Sequence, residues 1–355
     1  MIKMLDDLYE KGTIEKEPLV DLLDALDHYD EQGLYSRLQS CADAVRRKHY
    51  GQSVFVRGLI EFSNRCVQNC LYCGLRKGNQ RVQRYRLSQE EVIECCRTGY
   101  SLGYRTFVLQ SGEDPWYTQD KMVEIIGGIR KICPDAAITL SIGERSMAEY
   151  RKFFEAGADR YLLRHETASR DLYEKLHPFM SYEARCEHLN MLKRIGFQTG
   201  AGFMVGLPDQ TNHHLADDLL FLKKLNPEMI GIGPFLPHSD TPLGNRRRGT
   251  IEKTIMMVAL ARLLVPDALI PATTAMETLD PKGKEKALRS GANVLMTNLS
   301  PEEVRPKYAL YENKLYTDEA PECCKQYTED QIRNAGYKID MGRGDSLKMV
   351  NGMME

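Results

Sequence analysis

The chain has 355 residues, of which 42% are hydrophobic and 28% charged, and its formal net charge is -2. This near-neutral balance excludes a whole-protein field that would attract nucleic acid or an anionic membrane. The first residues contain no apolar run long enough for a signal peptide or a membrane span, so we expect a cytoplasmic protein. Ten cysteines are too few for a secreted disulfide framework, which favours metal binding or catalysis for any clustered thiols.

Helical and strand-like segments follow one another in a regular order. Residues 1–50 carry apolar positions at helical spacing and predict a helical N-terminal extension. From residue 51 onward, short β-rich runs alternate with amphipathic helical stretches, many of which open on a capping residue. The predicted strands are 54–62, 106–111, 137–142, 160–164, 199–207, 229–235, 269–274 and 292–298. Near-continuous apolar strands that alternate with helices indicate parallel pairing, and eight such units close one barrel.

The predicted fold class is therefore α/β, with a complete (β/α)8 TIM-type barrel over residues 51–300 rather than two smaller sheets. Residues 301–337 predict a C-terminal extension that packs on the barrel. Residues 338–355 are polar without a clear apolar face, and we expect a flexible tail there. Because barrel chemistry lies at the carboxyl ends of the strands, the candidate functional residues are those that follow each predicted strand.

Three cysteines follow the first predicted strand in "SNRCVQNCLYCG": Cys66, Cys70 and Cys73. Buried thiols on one helical face are one interpretation, and a structural zinc site is another, although no fourth Cys or His ligand lies nearby. Three thiolates can also hold three irons of a cubane cluster and leave the fourth iron open to an outside ligand. The spacing, with an aromatic residue directly before the third cysteine, resembles that of the radical S-adenosylmethionine (SAM) superfamily. The resemblance implies one 4Fe-4S cluster, SAM at its open iron, and reductive cleavage of SAM to a 5'-deoxyadenosyl radical.

Polar residues also follow later strands. "QSGEDPW" after the second strand presents Glu113, which also fits an ordinary loop acid, and "RHETAS" after the fourth presents Arg164 and Glu166. Arg164 suits a carboxylate because its guanidinium is two-pronged; a salt-bridge network at the barrel rim is the structural alternative. At the end of the seventh strand, Thr273 and Thr274 offer two hydroxyls to an anion.

The strand-end segments together resemble the HydE family of radical SAM proteins, which mature FeFe-hydrogenase, from about Arg57 to Asn298. The segments that carry the resemblance include "SNRCVQNCLYCGLRKGN", "VLQSGEDPWY", "DRYLLRHETA", "GAGFMVGLP" and "IPATTAMETL". The resemblance implies SAM contacts by Tyr72, Glu113, Glu166, Arg185 and Met204. It also implies a carboxylate-binding set, Arg164, Thr273, Thr274 and the Ala275 backbone, in a substrate chamber lined by Met296 and Tyr311.

The same resemblance implies a reaction and partners. The deoxyadenosyl group attacks the sulfur of a cysteine that ligates an Fe(CO)2(CN) precursor, during assembly of the diiron subsite of the H-cluster. The implied partners are this organometallic or cysteine-derived small molecule, other hydrogenase maturation proteins in transient contact, and a reductant such as ferredoxin or flavodoxin. No nucleic acid and no membrane are expected. Two alternatives stay open: a small-molecule enzyme of the biotin synthase or methylornithine synthase kind, and a non-catalytic iron-sulfur scaffold.

Two further features depart from the main pattern. Some family members carry a second cysteine set near the C-terminus, but here that zone offers only the adjacent Cys323 and Cys324, so we predict no second cluster. The pair is either a vicinal redox couple or two ordinary thiols. The run Arg246–Arg248 fits a solvated surface loop, or a positive patch that steers an anionic substrate or an acidic partner.

Overall fold

The computed structural model describes residues 1–28, 33–315 and 321–352. The chain starts with three helices, α1 (Ile2–Lys11), α2 (Lys16–Asp27) and α3 (Leu34–Tyr50). Their apolar faces are buried, with Leu8, Leu22 and Leu38 almost inaccessible to solvent. The predicted helical extension is therefore present in the described part of residues 1–50, and residues 29–32 lie outside it.

Parallel strands build the barrel that follows: β1 (Ser53–Ser63), β2 (Thr106–Ser111), β3 (Ala137–Ser141), β4 (Arg160–Leu162), β5 (Gln198–Ala201), β6 (Met204–Val205), β7 (Met229–Ile230), β8 (Gly233–Pro234) and β9 (Val294–Asn298). The pairing order is β1-β2-β3-β4-β5-β7, and β9 pairs with β1 from the other side. Single bridges from Met229 to Leu269 and from Pro271 to Val294 link β7 to β9. Backbone pairing therefore runs around the whole ring, as the predicted barrel requires.

Three of the predicted strands are divided or reduced to isolated bridges in the structure, and 137–142, 160–164 and 292–298 are one or two residues shorter than predicted. The run 199–207 divides into β5 and β6 at Gly202, whose φ is 153° and where a Cβ would stand 2.0 Å from the Gly231 carbonyl oxygen. The run 229–235 divides into β7 and β8 opposite this break. The run 269–274 keeps only the two bridges, because Pro271 has no N–H to donate to a ladder.

Helices cover the barrel between the strands: α4 (Gln89–Ser101), α5 (Gln119–Ile132), α6 (Met147–Glu155), α7 (Arg170–Leu176), α8 (Tyr182–Ile195), α9 (Asn212–Leu225), α10 (Ile251–Leu264), α11 (Thr274–Leu279) and α12 (Gly283–Leu288). Capping boxes at Ser88 and Ser146 start α4 and α6. Helix α10 is buried almost all round, since α3 packs on its outer side. Among the described residues, no helix combines the length and the apolar character that crossing a membrane requires.

The C-terminal residues correct one prediction. After a 3-10 helix (Glu302–Lys307) come α13 (Pro321–Asn334), β10 (Lys338–Asp340) and α14 (Leu347–Gly352). The expected flexible tail, 338–355, is instead built into the fold as far as residue 352, and residues 353–355 lie outside the described residues. Strand β10 pairs with the start of β1, and Asp345 bonds Arg160 and Gln198 at the amino end of the barrel. Polar pairs anchor this segment together with Ile339, Met341 and Leu347, which pack against buried apolar clusters.

Candidate active site

A cavity of about 390 Å³ opens at the carboxyl ends of the barrel strands. Every candidate residue named from the sequence lines it: Cys66, Cys70, Tyr72, Cys73, Glu113, Arg164, Glu166, Arg185, Met204, Thr273, Thr274, Ala275, Met296 and Tyr311. The Arg246–Arg248 run does not; it borders a second cavity, of about 580 Å³, with Lys253 and Asp27. Cys323, which is exposed, and Cys324, which is buried, also lie away from the first cavity.

The cysteine loop, residues 64–87, connects β1 to α4 and contains no helix. Its path over the barrel depends on Gly112, where a Cβ would stand 2.4 Å from the Arg65 carbonyl oxygen. The side chain of Arg84 connects separate parts of the loop, because it donates hydrogen bonds to four backbone oxygens: those of Asn64, Leu75, Arg76 and Asn79. The three thiols therefore do not share a helical face, which removes the first structural interpretation.

The thiols are close enough to influence one another. Burial raises the pKa of Cys70 well above its ordinary value, and the neighbouring Cys73 and Cys66 raise it further. Burial, followed by the charge of Cys66, raises the pKa of Cys73 to about 12. Three thiolates in such a place require a cationic group among them.

Within the described ranges, no three His, Cys, Asp or Glu side chains are grouped tightly enough for one metal ion, so zinc gains no support. A cubane cluster fits better, because each thiolate binds a different iron.

Glu113 joins the loop after β2 to the cysteine loop. Its Oε2 accepts a hydrogen bond from Gln68 Nε2 at 2.5 Å, and its Oε1 accepts one from the backbone N–H of Glu144 at 3.0 Å. Gly143, with φ of 75°, permits this contact, since a Cβ there would stand 2.0 Å from Glu113 Cγ. The carboxylate is thus held at the cavity wall in a set orientation.

Arg164 and Glu166 follow β4 and face the cavity together. Arg164 Nη2 lies 2.9 Å from Glu166 Oε2, in an ion pair whose angles are not those of a hydrogen bond. Glu166 has a left-handed φ of 65°, a strained conformation for this residue. The strain is held by hydrogen bonds from Glu166 N to Gly202 O at 2.9 Å and from Met204 N to Glu166 O at 3.1 Å.

Arg185, on α8, contacts the backbone of the residue that forms this ion pair with Glu166. Its Nε donates to Glu144 Oε1 at 2.7 Å, and its Nη1 donates to the Arg164 carbonyl oxygen. Burial opposes the charged form of Arg185, but Tyr173 and Glu144 outweigh it and raise the pKa of the guanidinium. Arg185 therefore stays charged and positions the backbone that carries Arg164.

An apolar pocket adjoins the cysteine loop. Met204 packs there with Leu172, Leu176, Leu207 and Phe235, and Tyr72 lies against this group. The Tyr72 hydroxyl donates to His177 Nε2 at 2.8 Å, since His177 Nδ1 donates to the Tyr173 carbonyl oxygen. Burial, followed by the charge of Arg185, lowers the pKa of His177 to about 3, so this imidazole is neutral. Tyr72 and Met204 thus give the cavity an apolar wall, which suits a flat, mostly apolar ligand.

Arg164 and Thr273 bring buried hydrogen-bond donors to the cavity lining. Thr273 Oγ1, Arg164 Nε and Arg164 Nη2 are buried and form no hydrogen bond with the described residues. Such groups are costly unless a ligand satisfies them. A guanidinium and a hydroxyl that face the same space suit a carboxylate.

Glu61 and Lys314 are among the cavity residues that were not predicted from the sequence. Glu61 ends the inner face of β1, is fully buried, and accepts a hydrogen bond from Lys314 Nζ at 2.5 Å and one from Asn298 Nδ2 at 2.9 Å. Lys314 belongs to a segment, 308–314, that crosses the cavity and also contributes Tyr308, Leu310 and Tyr311 to its lining. An acid near the end of an otherwise apolar strand was the available signal for Glu61.

The fold and the cysteine loop define the class of protein. Residues 60–222 match the family model described as "Radical SAM superfamily", and this range runs from the end of β1 through most of α9. A parallel barrel, three cysteines after its first strand and a cavity at its carboxyl end that these cysteines line together describe a radical SAM enzyme. Membership of this superfamily implies a 4Fe-4S cluster and SAM as cofactors.

Comparison with individual proteins narrows the assignment. The chain is 50% identical over 309 residues to the FeFe-hydrogenase maturase subunit HydE of Thermotoga maritima, covering 87% of this chain and 88% of that protein. It is 30% identical over 297 residues to the 3-methylornithine synthase of Methanosarcina acetivorans, covering 83% of each. A crystal structure of methylornithine synthase (PylB) superposes with a TM-score of 0.81 at 25% identity, covering 95% of this chain and 97% of that one. The chain belongs to the HydE family of radical SAM enzymes.

Proposed function

We propose that Cys66, Cys70 and Cys73 hold the 4Fe-4S cluster and that SAM binds at its open iron. When bound, the cluster supplies the electron that cleaves SAM to methionine and a 5'-deoxyadenosyl radical. The chain itself orients SAM: Glu113 and Glu166 are acceptors for its ammonium group, Arg185 supports the site, and Tyr72 and Met204 line the adenosyl pocket. The fixed carboxylate of Glu113 and the apolar wall around Met204 support these roles.

We further propose that the substrate is a cysteine that ligates an Fe(CO)2(CN) unit and that its sulfur is attacked during assembly of the diiron subsite of the H-cluster. Arg164, Thr273, Thr274 and the Ala275 backbone bind the cysteine carboxylate, and Met296 and Tyr311 line the space for the iron ligands. The observation that carries this proposal is the group of buried donors on Arg164 and Thr273 that form no hydrogen bond with the described residues. The family relationship to a hydrogenase maturase supports the same substrate class.

We also propose two protein partners for this enzyme and a single cluster as its metal cofactor. The enzyme acts in the cytoplasm, receives its substrate from another hydrogenase maturation protein in a transient contact, and takes electrons from a ferredoxin-like or flavodoxin-like carrier. It holds one cluster, because Cys323 and Cys324 are adjacent in sequence, lie on α13 and differ in exposure. An iron-sulfur scaffold would need neither the cavity nor its unpaired donors.

An amino-acid-modifying enzyme is the second candidate. The 30% identity and the similar fold of methylornithine synthase favour it, and a site that binds a carboxylate would also accept an amino acid. The two candidates differ in what reacts: a thiolate on iron in the first, and a carbon skeleton in the second.

The deciding experiment supplies the reduced holoenzyme and SAM with either cysteine-bound iron carbonyl cyanide or a mixture of free amino acids. We expect an S-adenosylated product by mass spectrometry with the iron compound and no rearranged amino acid from the mixture. An Arg164→Met variant should lose this product, whereas Arg151→Met, at an exposed position of α6, should retain it. A rearranged amino acid without an adenosylated sulfur species would establish the second candidate instead.

A further inference from the structure

The cysteine loop is strongly basic within a protein of net charge -2. Between Ser63 and Gln89 there is no acidic residue, whereas the basic residues are Arg65, Arg76, Lys77, Arg81, Arg84 and Arg86. Such a local excess creates a positive potential at this side of the barrel mouth although the whole chain is slightly negative. The charge lies on the segment that carries all three proposed cluster ligands.

The basic residues divide into those that build the loop and those that face solvent. Arg84 and Arg76 bond backbone carbonyl groups, and Arg86 pairs with Asp114 at 2.7 Å. Arg65 and Lys77 are exposed, and their side chains form no hydrogen bond or ion pair with the described residues. These two cations therefore contribute nothing visible to the stability of the loop and remain available to a partner.

Exposed apolar side chains adjoin the same loop. Val67, between Cys66 and Cys70 in the chain, is 46% exposed. Trp116, at 38% exposure, follows Glu113, whose carbonyl oxygen accepts the Val67 N–H at 2.9 Å. Phe179 is 100% exposed and follows Leu176, whose carbonyl oxygen accepts the Leu71 N–H at 2.9 Å.

Phe179 is unusual in a second way. Its φ is 71°, a left-handed conformation that is a genuine outlier for a bulky residue. The aromatic ring of Phe179 is thus fully exposed to solvent on a strained backbone, and no packing contact of the ring offsets this strain. Aromatic residues and arginines are the side chains that most often dominate the energy of protein interfaces.

We propose that the surface formed by Arg65, Val67, Lys77, Trp116 and Phe179 is the docking site for an acidic one-electron carrier protein. The inference rests on the proposed function, because it takes the cluster to be held by this loop. The carrier loses one electron and the cluster gains it; no bond is made or broken and no proton moves. A carrier that touches Val67 is within one residue of Cys66, so docking here brings the donor close to the acceptor, and the basic residues steer its approach.

The test compares electron delivery by a protein with delivery by a small molecule. The variant Arg65→Glu/Lys77→Glu and the wild-type holoenzyme are reduced with flavodoxin hydroquinone or with dithionite, and cluster reduction is followed by stopped-flow absorbance. With flavodoxin, we expect the variant to be slower by about tenfold at low salt and to lose the salt dependence of the rate. Dithionite is a small anion that also responds to the change of charge, but it needs no docking surface, so we expect the variant to be slowed by no more than about threefold.

A second readout does not depend on the cluster. Binding of oxidised flavodoxin to the cluster-free protein is measured by biolayer interferometry, and we expect the double variant to bind about tenfold more weakly. Phe179→Asn should weaken binding at both low and high salt, because the lost contact is apolar. The Phe179 side chain makes no buried contacts, so this variant does not put folding at risk.

Two matched controls carry the same change of charge. Lys48→Glu/Lys131→Glu reverses exposed charges near the amino ends of β1 and β3, at the opposite end of the barrel, and should leave both readouts unchanged. Arg247→Glu/Arg248→Glu tests the other basic run. Loss of flavodoxin binding in that variant alone, or equal slowing with dithionite in the Arg65/Lys77 variant, would overturn the docking site. Neither readout involves the substrate, so failure here is distinguishable from failure of the proposed reaction.

Discussion

The two ends of the barrel both bury charged side chains but use them differently. At the amino end, Asp345 accepts hydrogen bonds from Gln198 at 2.7 Å, Arg160 at 2.8 Å and Arg343 at 2.9 Å. At the carboxyl end, donors on Arg164 and Thr273 are buried without hydrogen bonds to the described residues. The difference indicates that polar groups stabilise the fold at one end, whereas at the other they await a ligand.

The largest effect expected at the carboxyl end is that of Cys70→Ser. A serine hydroxyl is a poor ligand for iron, so the variant should lose most of its iron after reconstitution and release no 5'-deoxyadenosine from SAM under reducing conditions. Iron analysis and chromatography of the products measure both. Cys323→Ser, at an exposed position of α13, is the matched control and should behave as wild type. An active, iron-loaded Cys70→Ser protein would contradict the proposed cluster site.

Arg164→Lys should separate function from stability. A lysine keeps the charge but loses the two-pronged geometry, so we expect substrate-dependent kcat/KM to fall by about 100-fold, equivalent to about 2.7 kcal/mol. The free energy of unfolding, from urea titration, should change little, because the lost hydrogen bonds are those made to substrate. A variant that is destabilised but kinetically normal would show that Arg164 serves the barrel rim, as the salt-bridge interpretation holds.

Asp345→Asn should produce the opposite result at the amino end. Burial alone would raise the pKa of Asp345, but the Arg343 hydrogen bond and the charge of Arg160 outweigh it and hold that pKa well below its ordinary value. We expect the free energy of unfolding to fall by about 2 kcal/mol at neutral pH, with SAM cleavage retained.

The pH dependence of this loss follows from the direction of the shift. Because the folded pKa of Asp345 is lowered, its stabilisation is complete above the ordinary aspartate pKa of about 3.9 and is lost as the pH falls below that value. Urea titrations of wild type and Asp345→Asn should therefore converge in acid. Asp135→Asn removes a surface pair with Arg105 and should change stability by less than about 1 kcal/mol. A pH-independent difference for Asp345→Asn would argue against the ionic anchor.

The smallest effect expected is a gain in stability from Phe179→Gly. Left-handed backbone costs a non-glycine residue about 1–2 kcal/mol, and part of the gain is offset by the entropy of glycine in the unfolded chain. We expect a net rise of about 0.5–1 kcal/mol in the free energy of unfolding. Phe154→Gly, in α6, should be destabilising, since that ring packs at 5.1 Å from the ring of Phe197. A loss of stability in Phe179→Gly would mean that the ring has a structural role.

The sequence predicted the cavity best where a residue directly follows a strand. Arg164, Thr273 and the cysteine loop were found in this way, because parallel strands place their carboxyl ends on one side. Lys314 and His177 were not found, since Lys314 reaches Glu61 from 253 positions away and His177 meets Tyr72 from 105 positions away. Such contacts leave no mark in local periodicity.

The C-terminal segment also shows that local sequence pattern does not predict long-range contacts. Residues 338–352 were expected to be flexible because they lack apolar periodicity, yet Lys338 pairs with Ser53 and Arg343 pairs with Asp159 at 3.0 Å. The periodicity of apolar residues along a segment indicates how well that segment can cover an apolar core. It does not measure how many of its polar groups find partners elsewhere.

Local chemistry in the sequence determined the alternation of strands and helices, the position of the three thiols and the type of cofactor that they suit. Tertiary structure alone decided that Arg164 and Thr273 keep unsatisfied donors, that Glu61 and Lys314 form one wall, and that the C-terminal segment anchors to the amino end of the barrel. The physical reason is that burial and hydrogen bonding depend on which distant segments meet in space. Periodicity along the chain depends only on neighbours.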